Sequence, residues 1–492
     1  MMFVSTLKNR FTWIFFIFLT GSLFGKSVPV GMTDPSILQI KATVQYPNFL
    51  QPWRFKNPEV RHSTGIYIGD NRILVPAQAV YFYTNIEVKK PEALKLYTAE
   101  LERMDPDLGL AILKLNDPNA SKDLKPVIFP NELFLPGTGL VMESKDQKNL
   151  EEKKIRMIRL DMDSYSSGYV ELPYIEIQSE EKIDGIGELI VDSTARIPQG
   201  ILYQFKETGT GKVIPSFSIK HFIEGKSFPF KGFRFKPLTD SATRNYYGLK
   251  KDDLGVLVAE IYPGSSADGI LQLEDVLLEV SNSKIDPKGY FDHPKFGKLN
   301  LSYLFHNTSD TDSPSVKKIK VKVFRNKKPV SLEMDLKPLP ESSIRIPYGN
   351  SRFQTPRYLM LAGIVFQELS EMYLTEHGNQ WRNRVNKELL YLNDFYRIKR
   401  DVNEGKVVFL SQVLPLSGNK AYHTAHQMIL KTVNGTQIQS LNQLQELVKN
   451  AETPYIHFVM SDGFELIFKK EEIQTLNAEA KQSFQIQKDS NF

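Results

Sequence analysis

The chain of 492 residues contains no cysteine. This absence excludes a disulfide scaffold, a thiolate zinc site, a cysteine nucleophile and lipid attachment through an N-terminal cysteine. A strong excess of one charge is also missing, because 62 Lys and Arg residues against 57 Asp and Glu residues leave a formal charge of +5. So small a surplus on so long a chain gives no indication of a nucleic-acid partner.

The sequence also lacks the short motifs that hold phosphates and metals. It has no glycine-rich phosphate loop, no HExxH and no paired CxxC, so it predicts no cofactor. His423 and His426 are three residues apart and could share a helix face, but no third ligand stands near them. No metal site is therefore predicted. A content of 41% hydrophobic and 24% charged residues is typical of a globular protein.

One hydrophobic run lies near the start of the chain. It covers residues 11–24 (FTWIFFIFLTGSLF), follows Lys8 and Arg10 and precedes the small residue Gly25. A membrane-spanning helix needs about 20 apolar residues, and this run is shorter. The pattern predicts a secretory signal peptide over residues 1–26. The mature chain is then expected to be exported to a periplasm, or anchored in the membrane if the signal is not cleaved.

Two types of pattern follow the signal. From about 40 to 225 the chain reads as short β segments separated by turns, which predicts an all-β barrel or sandwich. Further on, DVLLEVSNSKI (275–285) has a counterpart in MILKTVNGTQI (428–438), so two similar modules are expected. Residues 358–378 fit either a buried helix or a strand leading into one. The polar stretch 476–492 is expected to be flexible.

This order of segments resembles the Deg/HtrA family of exported serine proteases. YLMLAGIVFQELSEMYL (358–374) and VVFLSQVLPLSGNKAY (407–422) are similar to the approach to, and the start of, the family's C-terminal PDZ-like module. The resemblance implies a mainly β fold, a trypsin-like double β-barrel followed by two α+β PDZ-like domains. The implied domains are a signal peptide (1–26), a degenerate trypsin-like domain (27–228), a PDZ domain (229–340), a linker and helical segment (341–404), a PDZ-like domain (405–475) and a flexible tail (476–492).

The family's chemistry requires a histidine base, an aspartate and a serine nucleophile. At the three matching positions this chain has Gln78 in RILVPAQAV, Gly109 in DPDLGLAIL and, between Gly185 and Gly187, no serine. We take Gly187 as the nucleophile position. A glutamine amide cannot accept a proton from a hydroxyl near neutral pH.

Other assignments of the triad do not supply the missing groups. Asp107 lies two residues before the aspartate position, about 7 Å away along an extended strand. A second register puts Gln199 and Gly200 at the nucleophile, again without serine. The sequence therefore predicts a pseudoprotease. The alternative is an active serine endopeptidase of periplasmic protein quality control with an unrecognised triad.

Peptide binding remains as a function. A PDZ domain adds an extended peptide as a strand to a sheet edge, and a glycine-containing loop presents N–H groups to the peptide's end. The matching residues are Lys231, Gly232, Phe233, Arg234 and Phe235, with the two cations favouring an anionic chain end. The alternative is a linker strand that packs aromatic residues between domains.

The resemblance also implies partners. These are unfolded or C-terminal polypeptide segments and further copies of the chain, in a homo-oligomer built on trimers. Residues 28–60, with Phe49, Trp53 and Phe55, could mediate that assembly or could plug the barrel. The leading hypothesis is an exported Deg/HtrA-like pseudoprotease that acts as a scaffold, a chaperone-like holder or a regulator. A third hypothesis is a structural envelope protein without affinity for free ligands.

Overall fold

The computed structural model describes residues 37–492 except 91–93, 134, 147–148, 166–167, 182, 184–185, 251–253, 307–317 and 349–352. The predicted signal peptide (1–26) lies outside the described residues, so its assignment stays a prediction. Of the helices in the part that is described, none has both the length and the apolar character required to cross a bilayer.

The first barrel is a closed sheet of six antiparallel strands in the order β1-β2-β3-β6-β5-β4. Alternating side chains of β1 point inward, as the period of two requires. Asp70 and Asn71 both have positive φ, 52° and 58°, and form the tight turn between β2 and β3. The strands are β1 (Ile37–Val44), β2 (Glu59–Gly69), β3 (Arg72–Pro76), β4 (Tyr83–Lys89), β5 (Leu96–Asp105) and β6 (Leu110–Leu115).

The second barrel repeats this architecture, with six strands in the closed order β10-β11-β12-β9-β8-β7. Leu74 and Ile112 of the first barrel share a core cluster with Leu189 and Ile201 of the second, so the barrels pack directly on each other. The predicted double β-barrel is thus confirmed. Its elements are β7 (Gly139–Asp146), β8 (Asn149–Ser164), β9 (Glu171–Gln178), β10 (Leu189–Asp192), β11 (Pro198–Phe205), β12 (Thr210–Pro215) and the following helix α1 (Ser216–Ile223).

The middle module has a sheet in the order β13-β14-β15-β19-β20, with β16 paired to β15 and a separate β17-β18 hairpin. Its core is continuous with the inside of the second barrel, because Ile175 and Phe233 belong to one cluster. The elements are β13 (Phe233–Lys236), α2 (Ser241–Tyr246), β14 (Val256–Ile261), β15 (Val276–Val280), β16 (Ser283–Lys284), β17 (Tyr290–His293), β18 (Gly297–Asn300), α3 (Tyr303–His306), β19 (Lys318–Arg325) and β20 (Lys328–Asp335).

The C-terminal module has a sheet in the order β21-β22-β23-β24-β26-β27, with β25 paired to β24. Three short helices lie between β22 and β23, and two further helices complete the module. The elements are β21 (Tyr358–Leu361), β22 (Ile364–Glu368), α4 (Glu371–Thr375), α5 (Trp381–Arg384), α6 (Lys387–Phe395), β23 (Val408–Val413), β24 (Met428–Val433), β25 (Thr436–Gln437), α7 (Leu441–Asn450), β26 (Tyr455–Met460), β27 (Glu465–Lys469) and α8 (Glu472–Phe484).

The predicted boundaries of this module are wrong at both ends. The supposed linker 341–404 contains β21 and β22, which belong to the same sheet as β23 to β27. The supposed flexible tail 476–492 begins inside α8, which buries Ile473, Leu476 and Ala480. These three positions form a narrow apolar stripe on an otherwise polar helix. The high average polarity of the segment therefore suggested a flexible tail rather than a packed helix.

Candidate functional site

The three positions that match the family's triad come together at the junction of the two barrels. Gln78 is exposed in a short 3₁₀ turn directly after β3. The carbonyl of Gly109 accepts a hydrogen bond of 2.9 Å from the N–H of Ala77 in that turn. Gly187, just before β10, packs against Pro76 at the end of β3. Gly185 lies outside the described residues.

Both glycine positions have a backbone that disfavours other residues. Gly109 has φ of 75°, and an added Cβ would stand 2.9 Å from the ring of Tyr203. Gly187 has φ of 95°, and an added Cβ would stand 2.6 Å from the Pro76 ring. Because L residues rarely adopt this backbone and the space is filled, neither position accepts a larger side chain without strain.

A cleft of about 500 Å³ opens beside Gln78. Tyr203 of the second barrel and Met372 of the C-terminal module contribute to its wall, so three parts of the chain form it. Its lining, as far as the described residues show it, contains no serine, histidine or aspartate. The lining residues are Tyr46, Lys56, Asn57, Glu59, Arg61, Gln78, Tyr81, Pro106, Gly109, Tyr203 and Met372.

Arg61 is the charged residue next to Gln78. Its Nη1 donates to the main-chain carbonyl of Gln78 at 3.2 Å, and its Nη2 pairs with Glu59 at 2.7 Å. The guanidinium lies 5.0 Å from the ring centre of Tyr46. Burial raises the pKa of the Tyr46 phenol, and Arg61 only partly opposes this. Beside Gln78 the cleft thus holds a compensated charge pair and a neutral phenol.

The alternative triad residues have other roles. Asp107 Oδ1 accepts the N–H of Tyr169 at 2.6 Å, so this carboxylate joins the first barrel to the second. Gln199 is buried in β11, and Gly200 pairs there with Pro215.

The two candidate metal ligands are engaged with nearby groups. The Nε2 of His423 is 2.8 Å from Asn419 Oδ1, and the Nδ1 of His426 is 2.9 Å from the carbonyl of Thr424. Across the described ranges, acidic and histidine side chains form no group of three that could hold a metal ion.

The predicted peptide-binding residues surround the start of β13. Gly232 has φ of 82°, and its carbonyl accepts hydrogen bonds from Tyr262 N–H at 2.9 Å and Ser265 Oγ at 3.1 Å. Phe233 is 1% exposed and packs on Phe305 of α3 at 5.7 Å between ring centres. Phe233 therefore contributes to the core of the middle module. The same strand is also the terminal strand of its sheet, within the part of the chain that is described.

The cations of this stretch differ in their availability. The ammonium of Lys231 pairs with Glu171 of β9 and donates to Ser302 Oγ at 2.8 Å. Burial raises the pKa of the Glu171 carboxyl, but Lys231 and Ser302 outweigh it and the pKa is lowered. Arg234 is exposed, and its ion pair with Glu260 is loose, with 3.5 Å between Nη1 and the carboxylate oxygen. Arg234 is thus the cation that an added peptide can reach.

Sequence reasoning missed Arg61 and Glu171. Lys231 and Glu171 are 60 positions apart, and no local pattern connects them. The charge of Arg61 two residues after Glu59 on β2 was the only available signal, and surface strands commonly carry such pairs.

Phe49, Trp53 and Phe55 do not fill the interior of the barrel. Phe49 lies in a core cluster with Leu369 and Tyr373 of the C-terminal module, and Trp53 stands 6.2 Å from Tyr358. Phe55 is 60% exposed. We call residues 45–56 the bridging segment, because they connect the first barrel to the C-terminal module. Residues 28–36 lie outside the described residues, and trimer formation stays a prediction.

Comparisons with known proteins agree with this architecture. A family model described as a PDZ domain matches residues 347–491, which include β21 and α8. The chain is 24% identical over 443 residues to putative protease Do-like 11, mitochondrial, of Arabidopsis thaliana, covering 87% of this chain and 69% of that protein. It is 23% identical over 447 residues to protease Do-like 2, chloroplastic, of the same plant, covering 89% and 71%.

Among solved structures, the chain has a likeness to HtrA-type protease AlgW with a decapeptide. That likeness has a TM-score of 0.45 at 17% identity and covers 62% of this chain and 97% of AlgW. The serine endoprotease from Yersinia pestis has a TM-score of 0.38 at 14% identity, covering 62% and 95%.

Proposed function

Because the chain belongs to the Deg/HtrA family, we propose that it is a pseudoprotease, which binds polypeptides through its PDZ modules instead of cleaving them. In this proposal it is exported to the periplasm and acts as a scaffold, a chaperone-like holder or a regulator of other proteins. One observation in particular supports the proposed loss of catalysis. Gln78, Gly109 and Gly187 meet at the barrel junction and offer no base, no orienting carboxylate and no nucleophile.

The backbone supports the same proposal. Here the Pro76 ring occupies the space beside Gly187, and the Tyr203 ring occupies the space beside Gly109. A serine at position 187 or an aspartate at position 109 would therefore have to displace the Pro76 or the Tyr203 ring, which adds a steric cost to each substitution.

The peptide-binding half of the proposal concerns the middle module. β13 ends its sheet, so its outer backbone groups can pair with an extended peptide. Exposed Arg234 adds a positive charge at this edge. Lys231 is neutralised by Glu171, so recognition is expected to combine main-chain pairing along β13 with the charge of Arg234. A weak, sequence-tolerant interaction with unfolded segments is the expected result.

The test uses the chain from residue 27 onward with unfolded casein and a serine-directed fluorophosphonate probe. The expected result is intact casein, no labelled serine and retained casein in a pull-down. Arg234→Glu should weaken casein retention several-fold, whereas Lys320→Glu, on the exposed face of the interior strand β19, should leave it unchanged. The two variants receive the same change of charge on one sheet.

Each half of the proposal has its own contrary result. Cleavage and labelling that both disappear when one mapped serine is replaced would establish an active serine endopeptidase with a relocated triad. Casein that is neither cleaved nor retained would refute polypeptide binding. That outcome would favour a structural role in the envelope.

A further inference from the structure

The two PDZ-like modules differ at one sheet edge. β13, β14 and β15 of the middle module correspond to β22, β23 and β24 of the C-terminal module, because the related sequences 275–285 and 428–438 fall on β15 and β24. Gly232 and Gly363, both with positive φ, precede β13 and β22. In the C-terminal module β21 folds back onto β22 and covers the edge that β13 leaves open. The outer edge of β21 is therefore the new end of this sheet.

This outer edge is occupied by residues 488–492, which we call the closing segment. Ser490 forms an antiparallel bridge with Leu359 of β21. The N–H of Met360 donates to the carbonyl of Asp489 at 2.7 Å, and the N–H of Asn491 donates to the carbonyl of Tyr358 at 3.1 Å. The closing segment is thus bound as an added β-strand, in the manner of a peptide ligand.

A side chain from α8 binds the remaining backbone groups at this edge of β21. The amide nitrogen of Asn477 donates to the carbonyl of Met360 at 3.2 Å, and its oxygen accepts the N–H of Ala362 at 2.7 Å. Asn477 is 8% exposed, so this amide is a fixed continuation of the strand. Along this edge, the carbonyl of Met360 and the N–H of Ala362 therefore pair with Asn477. The N–H of Met360 and the carbonyl of Tyr358 pair with the closing segment.

The closing segment is held by hydrogen bonds and by one ion pair, from Lys481 to Asp489 at 3.0 Å, whereas α8 before it is also held by buried side chains. Leu476 and Ala480 of α8 lie in the module's core cluster, and Ile486 is 4% exposed. Beyond Ile486 no side chain of the segment is buried, and Phe492 is 40% exposed over the guanidinium of Arg357. Removal of the segment therefore exposes the edge without emptying the core.

We propose that the edge of β21 is a second strand-accepting site, which the closing segment fills as an intramolecular ligand. Its ligand class is an extended polypeptide, recognised by main-chain hydrogen bonds to Tyr358 and Met360. The site is open to another strand only when the closing segment is displaced. It is separate from β13, so it stands whether or not the middle module binds peptides.

The test compares the chain from residue 27 to 492 with the same chain ending at Gln487. The probe is a fluorescent peptide of residues 486–492 (IQKDSNF), capped at both ends, and binding is followed by anisotropy. If the closing segment fills the edge about nine-tenths of the time, the shortened chain should bind the peptide about tenfold more tightly. A peptide carrying an N-methyl group on Asn491 should lose at least about tenfold in affinity, because it lacks the N–H that reaches Tyr358.

Three results would overturn the proposal. The first is equal peptide affinity of both chains, which assigns the binding to β13 or another surface. The second is unchanged affinity after N-methylation, which excludes main-chain recognition. The third is absence of binding to a shortened chain whose circular dichroism remains native. If the shortened chain unfolds, full-length Asn491→Pro, which removes the same N–H, takes its place with the same expected results.

Discussion

Replacing Phe49 by alanine is expected to destabilise the C-terminal module, although Phe49 follows a strand of the first barrel. Its ring is 2% exposed among residues such as Leu369 and Tyr373. Truncating a fully buried phenylalanine costs about 3–5 kcal/mol. Phe55 offers a matched control in the same bridging segment, because it is 60% exposed and its truncation should cost no more than about 0.5 kcal/mol.

Urea unfolding followed by tryptophan fluorescence measures this difference directly. Trp53 lies in the bridging segment and Trp381 in the C-terminal module, while Trp13 belongs to the predicted signal. With a urea dependence of about 2 kcal/mol per M, Phe49→Ala should lower the midpoint of this transition by about 1.5–2.5 M. The midpoint is the appropriate quantity, because a chain of several domains has no single free energy of unfolding.

Two results would refute this reasoning. Equal shifts for Phe49→Ala and Phe55→Ala would mean that the bridging segment does not pack as described. A large shift in far-ultraviolet signal without a change in the tryptophan transition would place the ring of Phe49 in the barrel. The bridge itself has further support in two hydrogen bonds, from Gln367 Nε2 to the carbonyl of Phe49 at 3.2 Å and from Gln412 Nε2 to that of Leu50 at 2.5 Å.

Two further predictions concern Gly187 and its neighbour Glu188. Burial raises the pKa of the Glu188 carboxyl from 4.5 to about 7. The folded state therefore holds this proton more tightly than the unfolded state does. The free energy of unfolding falls as the pH rises between those two values, by at most about 3 kcal/mol. Glu188→Gln should remove that loss in unfolding curves at pH 5 and pH 8, and an unchanged pH dependence would contradict the burial. Gly187→Ala should cost about 1–3 kcal/mol more than Gly137→Ala, because both glycines have positive φ but an added Cβ clashes with Pro76 only at Gly187. Equal melting temperatures of the two variants would show that the junction is not tightly packed.

Local patterns predicted short β segments from about 40 to 225 and two similar modules, whereas the double β-barrel was implied by the resemblance. Such segments and turns are properties of adjacent residues, and Asp70 and Asn71 form one of the turns that the structure shows. The repeated sequence on β15 and β24 identified two modules for the same reason. Residues 358–378, which fitted a helix or a strand, form a hairpin followed by α4. Periodicity could not separate these, because a short apolar run suits either element.

The candidate site was predicted in part. The positions Gln78, Gly109 and Gly187 were found by resemblance, and the structure brings them to one junction. The ion pair of Lys231 with Glu171 could not be predicted, because the sequence does not show which carboxylate will lie beside a given lysine. Glu171 lies on the second barrel and meets Lys231 only after the middle module has docked.

The sequence by itself determined where short β segments and turns occur and which residue types stand at the positions that match the family's triad, because these depend on residue type and on near neighbours. Tertiary structure decided which surfaces meet. Gln367 reaches the carbonyl of Phe49 across 318 positions, and Ser490 pairs with Leu359 at the edge of β21. A hydrophobic pattern encodes that a side chain is to be buried, but the partner that buries it is selected only when the whole chain is packed.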